Sequence, residues 1–129
     1  MILINSRNLL MILTLYTEDF FDSSHHLCNY EGKCAFPHGH TWKVSVWVRG
    51  DEKYKDKSGI LWDFGNLKRI IKKIDHANLN ELFTESPSVE NIAKYIYTEL
   101  IDARPELSFK VRVYEKVVSK KSYCEIGGF

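Results

Sequence analysis

The sequence predicts an α+β fold: one antiparallel sheet with two helices packed on one of its faces. Three observations predict it. Two β-rich stretches open the chain, two more close it, and two stretches of helical periodicity lie between them. Strands grouped around a helical pair favour separate layers over a parallel sheet with interleaved helices. With 129 residues, 44% hydrophobic and 13% aromatic, the chain can build one domain around a real core. Residues 11–129 are assigned to that domain and residues 1–10 to an N-terminal extension outside it.

The first strand runs from Met11 to Ser24, a stretch rich in Ile, Leu, Tyr, Phe and Thr and free of Gly and Pro. Phe20 and Phe21 are adjacent and must face opposite ways unless a bulge intervenes. The apolar lead-in from Leu9 to Tyr16 is too short to span a bilayer, and no small-residue cleavage site follows it. Residues 27–37 contain Asn29, Gly32 and Pro37 and form a loop. The second strand extends from about Gly39 to Arg49. His38, His40, Trp42, Val44, Val46 and Val48 share one parity, so both histidines lie on the apolar, buried face. The charged segment from Asp51 to Ser58 is a solvated turn.

Asp63 can cap the first helix, with Trp62 packing on Leu67 as a staple. Leu67, Ile70, Ile71 and Ile74 fall at i, i+3, i+4 and i+7 and form its buried stripe. Lys68, Arg69, Lys72 and Lys73 lie off the stripe as a solvated face. Asp75-His76 closes the helix. A second helix starts near Ser86-Pro87-Ser88, where Pro suits the first turn and either Ser can cap. Its stripe is Val89, Ile92, Ala93, Ile96 and Leu100, and Pro105 ends it. In the third strand Phe109, Val111, Val113 and Glu115 share a face, so a carboxylate ends an apolar row. Ser119 to Ile126 is a weaker fourth strand. The four strands leave two open edges, which favours oligomer formation.

A formal net charge of +1 lacks the basic excess that a nucleic-acid or anionic-membrane surface requires. Three cysteines, an odd count, with no secretory segment read as free thiols in a reducing cytoplasm.

Four of the five histidines fall within sixteen residues, at strand ends. Two imidazoles at the entrance of an apolar face need partners, because unpaired polar groups out of water are costly. Zinc is one such partner, and His25 can join His38 and His40 from the neighbouring strand. Three histidines leave tetrahedral zinc one open position, as in catalytic sites. His26 should face away from His25. Cys34, four residues before His38, is either a fourth ligand, a free thiol beside a cation that can act as base or nucleophile, or a loop cysteine without a role. Asp75 and His76 form a proton-transfer unit if they fold near the metal, and otherwise only polar residues at a helix end. Glu115, on an inward face, needs donors. A guanidine-like heterocycle edge would supply them, and so would an internal Lys or Arg.

Six motifs occur together and in order: Phe21-Asp22-Ser23-Ser24-His25; Cys34-x-x-x-His38-Gly39-His40; Asp63-Phe64-Gly65-x-Leu67-Lys68; Asp75-His76-x-x-Leu79-Asn80; Pro87-Ser88-x-Glu90-Asn91; and Val113-Tyr114-Glu115. With them the chain resembles the 6-pyruvoyl-tetrahydropterin synthase family from about Leu13 to Tyr123. It is most similar to the family's 6-carboxy-5,6,7,8-tetrahydropterin synthase (QueD-type) branch, to which the short Cys34–His38 interval points. The resemblance implies the tunnelling fold: a four-stranded antiparallel sheet with two helices, assembling through strand edges into a homotrimer or homohexamer with sites between subunits. It implies zinc on His25, His38 and His40. It implies Cys34 as base, Asp75 and His76 as completing proton transfer, and Glu115 as holding the pterin, with Ser88 also on the substrate. The implied substrate is 7,8-dihydroneopterin triphosphate. The implied products are 6-carboxy-5,6,7,8-tetrahydropterin, acetaldehyde and triphosphate, on the route to queuosine. The alternatives are a 6-pyruvoyl product from the same substrate, a related enzyme that cleaves the pterin side chain differently, and a non-catalytic zinc- or pterin-binding module. The chain departs from the family pattern at His26, where Arg is frequent, at Ser88 for Thr, and from Lys116 to Lys121.

Overall fold

The computed structural model describes residues 1–4, 9–118 and 120–129. Strand β1 (Ile12–His25) pairs antiparallel with β2 (His38–Asp51) along their whole lengths. Helix α1 (Gly65–Lys72), a two-residue strand β3 (Ala77–Asn78), the one-turn helix α2 (Leu79–Leu82) and the long helix α3 (Val89–Ala103) follow. Strands β4 (Ser108–Tyr114) and β5 (Tyr123–Gly127) complete one sheet of order β3-β1-β2-β4-β5. Short 3-10 turns occupy Lys33–Ala35 and Glu52–Tyr54. Among the described residues, no helix is long and apolar enough to cross a membrane.

The register follows the hydrophobic alternation. Phe21 lies opposite Trp42, and their rings stack with centroids 5.7 Å apart. Val44, Val46 and Val48 lie opposite Val113, Val111 and Phe109 of β4. This face is buried and carries the core, closed by Leu67, Ile71 and Ile74 from the α1 region and by Ile92, Ala93, Ile96 and Leu100 from α3. Phe20 and Phe21 face opposite ways without a bulge, Phe20 exposed and Phe21 buried.

The sheet has five strands rather than four, and the helical layer has an extra turn. β3 is too short to show any periodicity. It pairs parallel with Ser23–Ser24 of β1, where the Ser23 hydroxyl accepts the Ala77 N–H at 3.2 Å. The first helix ends at Lys72 instead of running to Asp75-His76. His76 adopts φ 53°, a left-handed conformation that no helix continues through. Its N–H donates to Asp22 O at 2.6 Å, so the chain leaves the helix to reach β1. The last strand starts at Tyr123, and Ser119, expected as its first residue, lies outside the described residues.

Caps behave as the side chains dictate. Asp63 Oδ1 accepts the N–H of Gly65 at 2.8 Å at the start of α1. Ser88, the N-cap of α3, accepts the N–H of Asn91 at 3.2 Å. Ser88→Ala should therefore cost about 1 kcal/mol of stability, read as a lower denaturant midpoint with unchanged slope.

Candidate metal centre and catalytic cavity

β1 and β2 deliver three imidazoles to one point because odd residues of β1 and even residues of β2 share the inner face. His25 lies directly opposite His38, and His40 lies opposite Ser23. The ring centroids are 4.6 Å (His25–His38), 5.1 Å (His25–His40) and 4.8 Å (His38–His40) apart. Trp42 packs edge-on against His25 and His40, at 4.8 and 5.2 Å, and separates the cluster from the core. His25 is 1% exposed.

The ring nitrogens divide the work. His25 Nδ1 is 2.7 Å from Pro87 O, and His38 Nδ1 is 2.8 Å from Phe36 O. A carbonyl only accepts, so these nitrogens carry the protons and Nε2 presents a lone pair. All three Nε2 atoms are buried without a hydrogen-bond partner. Such orphaned acceptors are costly. A metal ion would satisfy all three, and the backbone carbonyls on the far nitrogens of His25 and His38 are the outer-shell support typical of histidine ligands. Burial pushes the His40 imidazole below its ordinary pKa, against the opposing pull of Glu115, which favours the neutral, ligating form. The donor set fits zinc.

Glu115 is brought into the same cluster. Its Oε1 is 3.4 Å from His25 Nε2 and 3.2 Å from His40 Nε2. Its partners are thus imidazoles, not the Lys or Arg that sequence parity left open. Cys34, on the Lys33–Ala35 turn, is not among the four clustered donors. It lines a cavity of about 500 Å³ with His38, His40, Glu115, Lys33 and Lys116.

Asp75 and His76 form a separate group with Asp22. Asp75 Oδ2 pairs with His76 Nδ1 at 2.9 Å, and Asp75 Oδ1 accepts the N–H of Asp22 at 2.9 Å. Thr41 donates its hydroxyl to Asp22. His76 is largely exposed and lines a second cavity, about 640 Å³, which shares Gly39 and His40 with the first. Ser88 lines neither cavity, and its hydroxyl is committed to the cap. Sequence reasoning missed Pro87 O, Asp22 and Asn80. Asn80 accepts the N–H of His26 at 2.8 Å and donates to its carbonyl at 3.1 Å, fixing the end of β1. All three stand within the sequence motifs, but nothing in the motifs assigned them these contacts.

The Asp22 backbone N–H, and then His76, hold the Asp75 carboxyl below its ordinary pKa. A depressed folded-state pKa contributes stability that is present above the unfolded value, about 3.9, and lost as pH falls through the folded one. Asp75→Asn should flatten stability against pH below about 4 relative to the parent chain. Denaturant midpoints at pH 5 and pH 3 measure this.

A mostly antiparallel sheet backed by helices, with a buried imidazole trio and a carboxylate as a candidate metal centre on its inner face, makes this an α+β protein of the tunnelling fold. The sequence profile described as 6-pyruvoyl tetrahydropterin synthase matches residues 14–127. A 6-carboxy-5,6,7,8-tetrahydropterin synthase of Synechocystis is 34% identical over 117 residues, 84% of this chain and 91% of the relative. A 6-pyruvoyl tetrahydrobiopterin synthase of Poecilia reticulata is 35% identical over 96 residues, 65% of this chain and 64% of the relative. The solved structure of Caenorhabditis elegans 6-pyruvoyl tetrahydropterin synthase superposes with a TM-score of 0.71 at 26% identity, covering 93% of this chain and 98% of that one. The chain belongs to the 6-pyruvoyl tetrahydropterin synthase family.

Proposed function

We propose that this protein is a zinc-dependent lyase of the QueD type, converting 7,8-dihydroneopterin triphosphate to 6-carboxy-5,6,7,8-tetrahydropterin with release of acetaldehyde and triphosphate, in queuosine biosynthesis. The observation that carries the reading is the trio of orphaned Nε2 atoms, two of whose rings, His38 and His40, line the cavity that Cys34 also lines. His25, His38 and His40 would hold the metal. Bound there, zinc supplies Lewis acidity toward the oxygens of the substrate side chain.

The remaining work falls to this chain's own groups. Cys34, outside the donor cluster but on the cavity wall, is placed to remove a carbon-bound proton as the thiolate. Glu115 faces the cavity as an acceptor for adjacent N–H groups of a pterin edge. Asp75 fixes His76 through Nδ1, leaving Nε2 of His76 to exchange protons at the second cavity. The separation of this pair from Cys34's cavity supports a site completed between subunits of a trimer or hexamer. The similarity to QueD-type relatives, with the Cys34–His38 spacing, favours the carboxy product.

Incubation with 7,8-dihydroneopterin triphosphate and product identification tests the reading. Acetaldehyde together with a 6-carboxy product is expected. A 6-pyruvoyl product would assign the chain to the family's other activity, and absence of turnover by zinc-loaded protein would leave a binding module.

A further inference from the structure

The cluster holds one donor more than the three imidazoles. Imidazole nitrogen and carboxylate oxygen bind zinc at about 2.0–2.2 Å, which sets neighbouring ligand atoms of a tetrahedron roughly 3.4 Å apart. Glu115 Oε1 stands at that spacing from two of the imidazoles, 3.4 Å from His25 Nε2 and 3.2 Å from His40 Nε2. All four donor atoms lie within 4.8 Å of one another.

These two contacts are not hydrogen bonds, because the Nε2 atoms have no hydrogen-bond partner. The proton of His25 sits on Nδ1, donated to Pro87 O. A carboxylate oxygen facing an imidazole lone pair across 3.4 Å is unfavourable in a buried place unless a cation lies between them. Cys34 does not belong to the donor cluster, so the only side chain poised to close a fourth position, among the described residues, is Glu115.

We propose that Glu115 is the fourth ligand of the metal in the substrate-free protein, and that it leaves the metal to accept the N–H groups of the pterin when substrate binds. The second half rests on the pterin reading above; the first does not. Glu115 is suited to both states. It follows the end of β4, its N–H held by Ser122 O at 3.2 Å, and its side chain is 29% exposed on the cavity. Two consequences follow. The resting site is closed, which keeps the Cys34 thiol off the metal. The position opens only for a ligand whose N–H edge can draw the carboxylate away, so ring recognition and access to the metal become one event.

The test is zinc affinity measured by chelator competition without pterin, on the parent chain, Glu115→Gln and Glu115→Ala, with His25→Ala marking the loss of a ligand. Both Glu115 variants should bind zinc at least tenfold more weakly, the lower bound for losing even an outer-shell partner. Thermal unfolding of the metal-free forms confirms that they fold. Zinc affinity within twofold of the parent in both variants would overturn the ligand role. The exchange is tested with a dihydropterin carrying only a methyl group at C6, which has no side-chain oxygens to offer the metal. Saturating amounts should weaken zinc binding to the parent chain, and zinc should weaken binding of that pterin by the same factor. Pterin that binds without changing zinc affinity would overturn the exchange. Neither measurement uses turnover, so a failure of the proposed reaction reads out separately.

Discussion

Cys34→Ala should retain zinc and lose turnover of 7,8-dihydroneopterin triphosphate. Removal of a general base costs roughly a hundredfold to ten-thousandfold. Metal retention is expected because the clustered donors are His25, His38, His40 and Glu115, with Cys34 outside them on the cavity wall. Cys34 sits on a one-turn 3-10 segment and is only partly buried, so the substitution leaves the core intact. Zinc content and steady-state turnover of the same preparation check both halves. Loss of metal together with stability would instead make Cys34 a ligand and the site structural. Full activity with zinc retained would leave the thiol without a role.

His25→Ala should abolish the stabilisation that zinc confers on the fold. A ligand that binds only the native state adds about 2.7 kcal/mol when present at a hundred times its dissociation constant. His25 is the most buried of the three imidazoles, fixed by Pro87 O and enclosed by His38, His40 and Trp42. Denaturant midpoints with and without zinc, in the parent and the variant, measure the effect. A variant whose midpoint still rises with zinc would place the metal elsewhere. The comparison is made within each protein because the cavity left by the deleted ring lowers stability in its own right.

Much of the site was legible because a strand's period is two. Once His38 and His40 were read in phase with Trp42 and the valines, their shared inward direction followed. The same parity placed Glu115 beyond Val113, and the register His25–His38 needed only that the two strands pair as a hairpin. Helix caps and stripes were equally local, since Ser88 and the Ile92–Leu100 row depend only on neighbours within a turn or two.

What escaped was whatever a side chain does against its local pattern. Asp75-His76 looked like a helix end because the apolar stripe ran to Ile74. The Asp75 carboxylate instead holds the backbone of Asp22, 53 residues earlier in the chain, and His76 turns left-handed to pair there. β3 exists because Ser23 takes the N–H of Ala77, a bond with no sequence period behind it.

The sequence by itself determined the four longer strands and the two principal helices, the inward face of the sheet, the three imidazoles on it and the family. Each of these follows from repeat spacing or from motifs read along one strand or one turn. Only the tertiary structure decided that the free lone pairs are on Nε2, that Pro87 and Phe36 fix them through Nδ1, that Glu115 stands at ligand distance, and that Cys34 stands apart. Those outcomes depend on which buried groups from distant segments are left without partners, and that is settled only when the layers close.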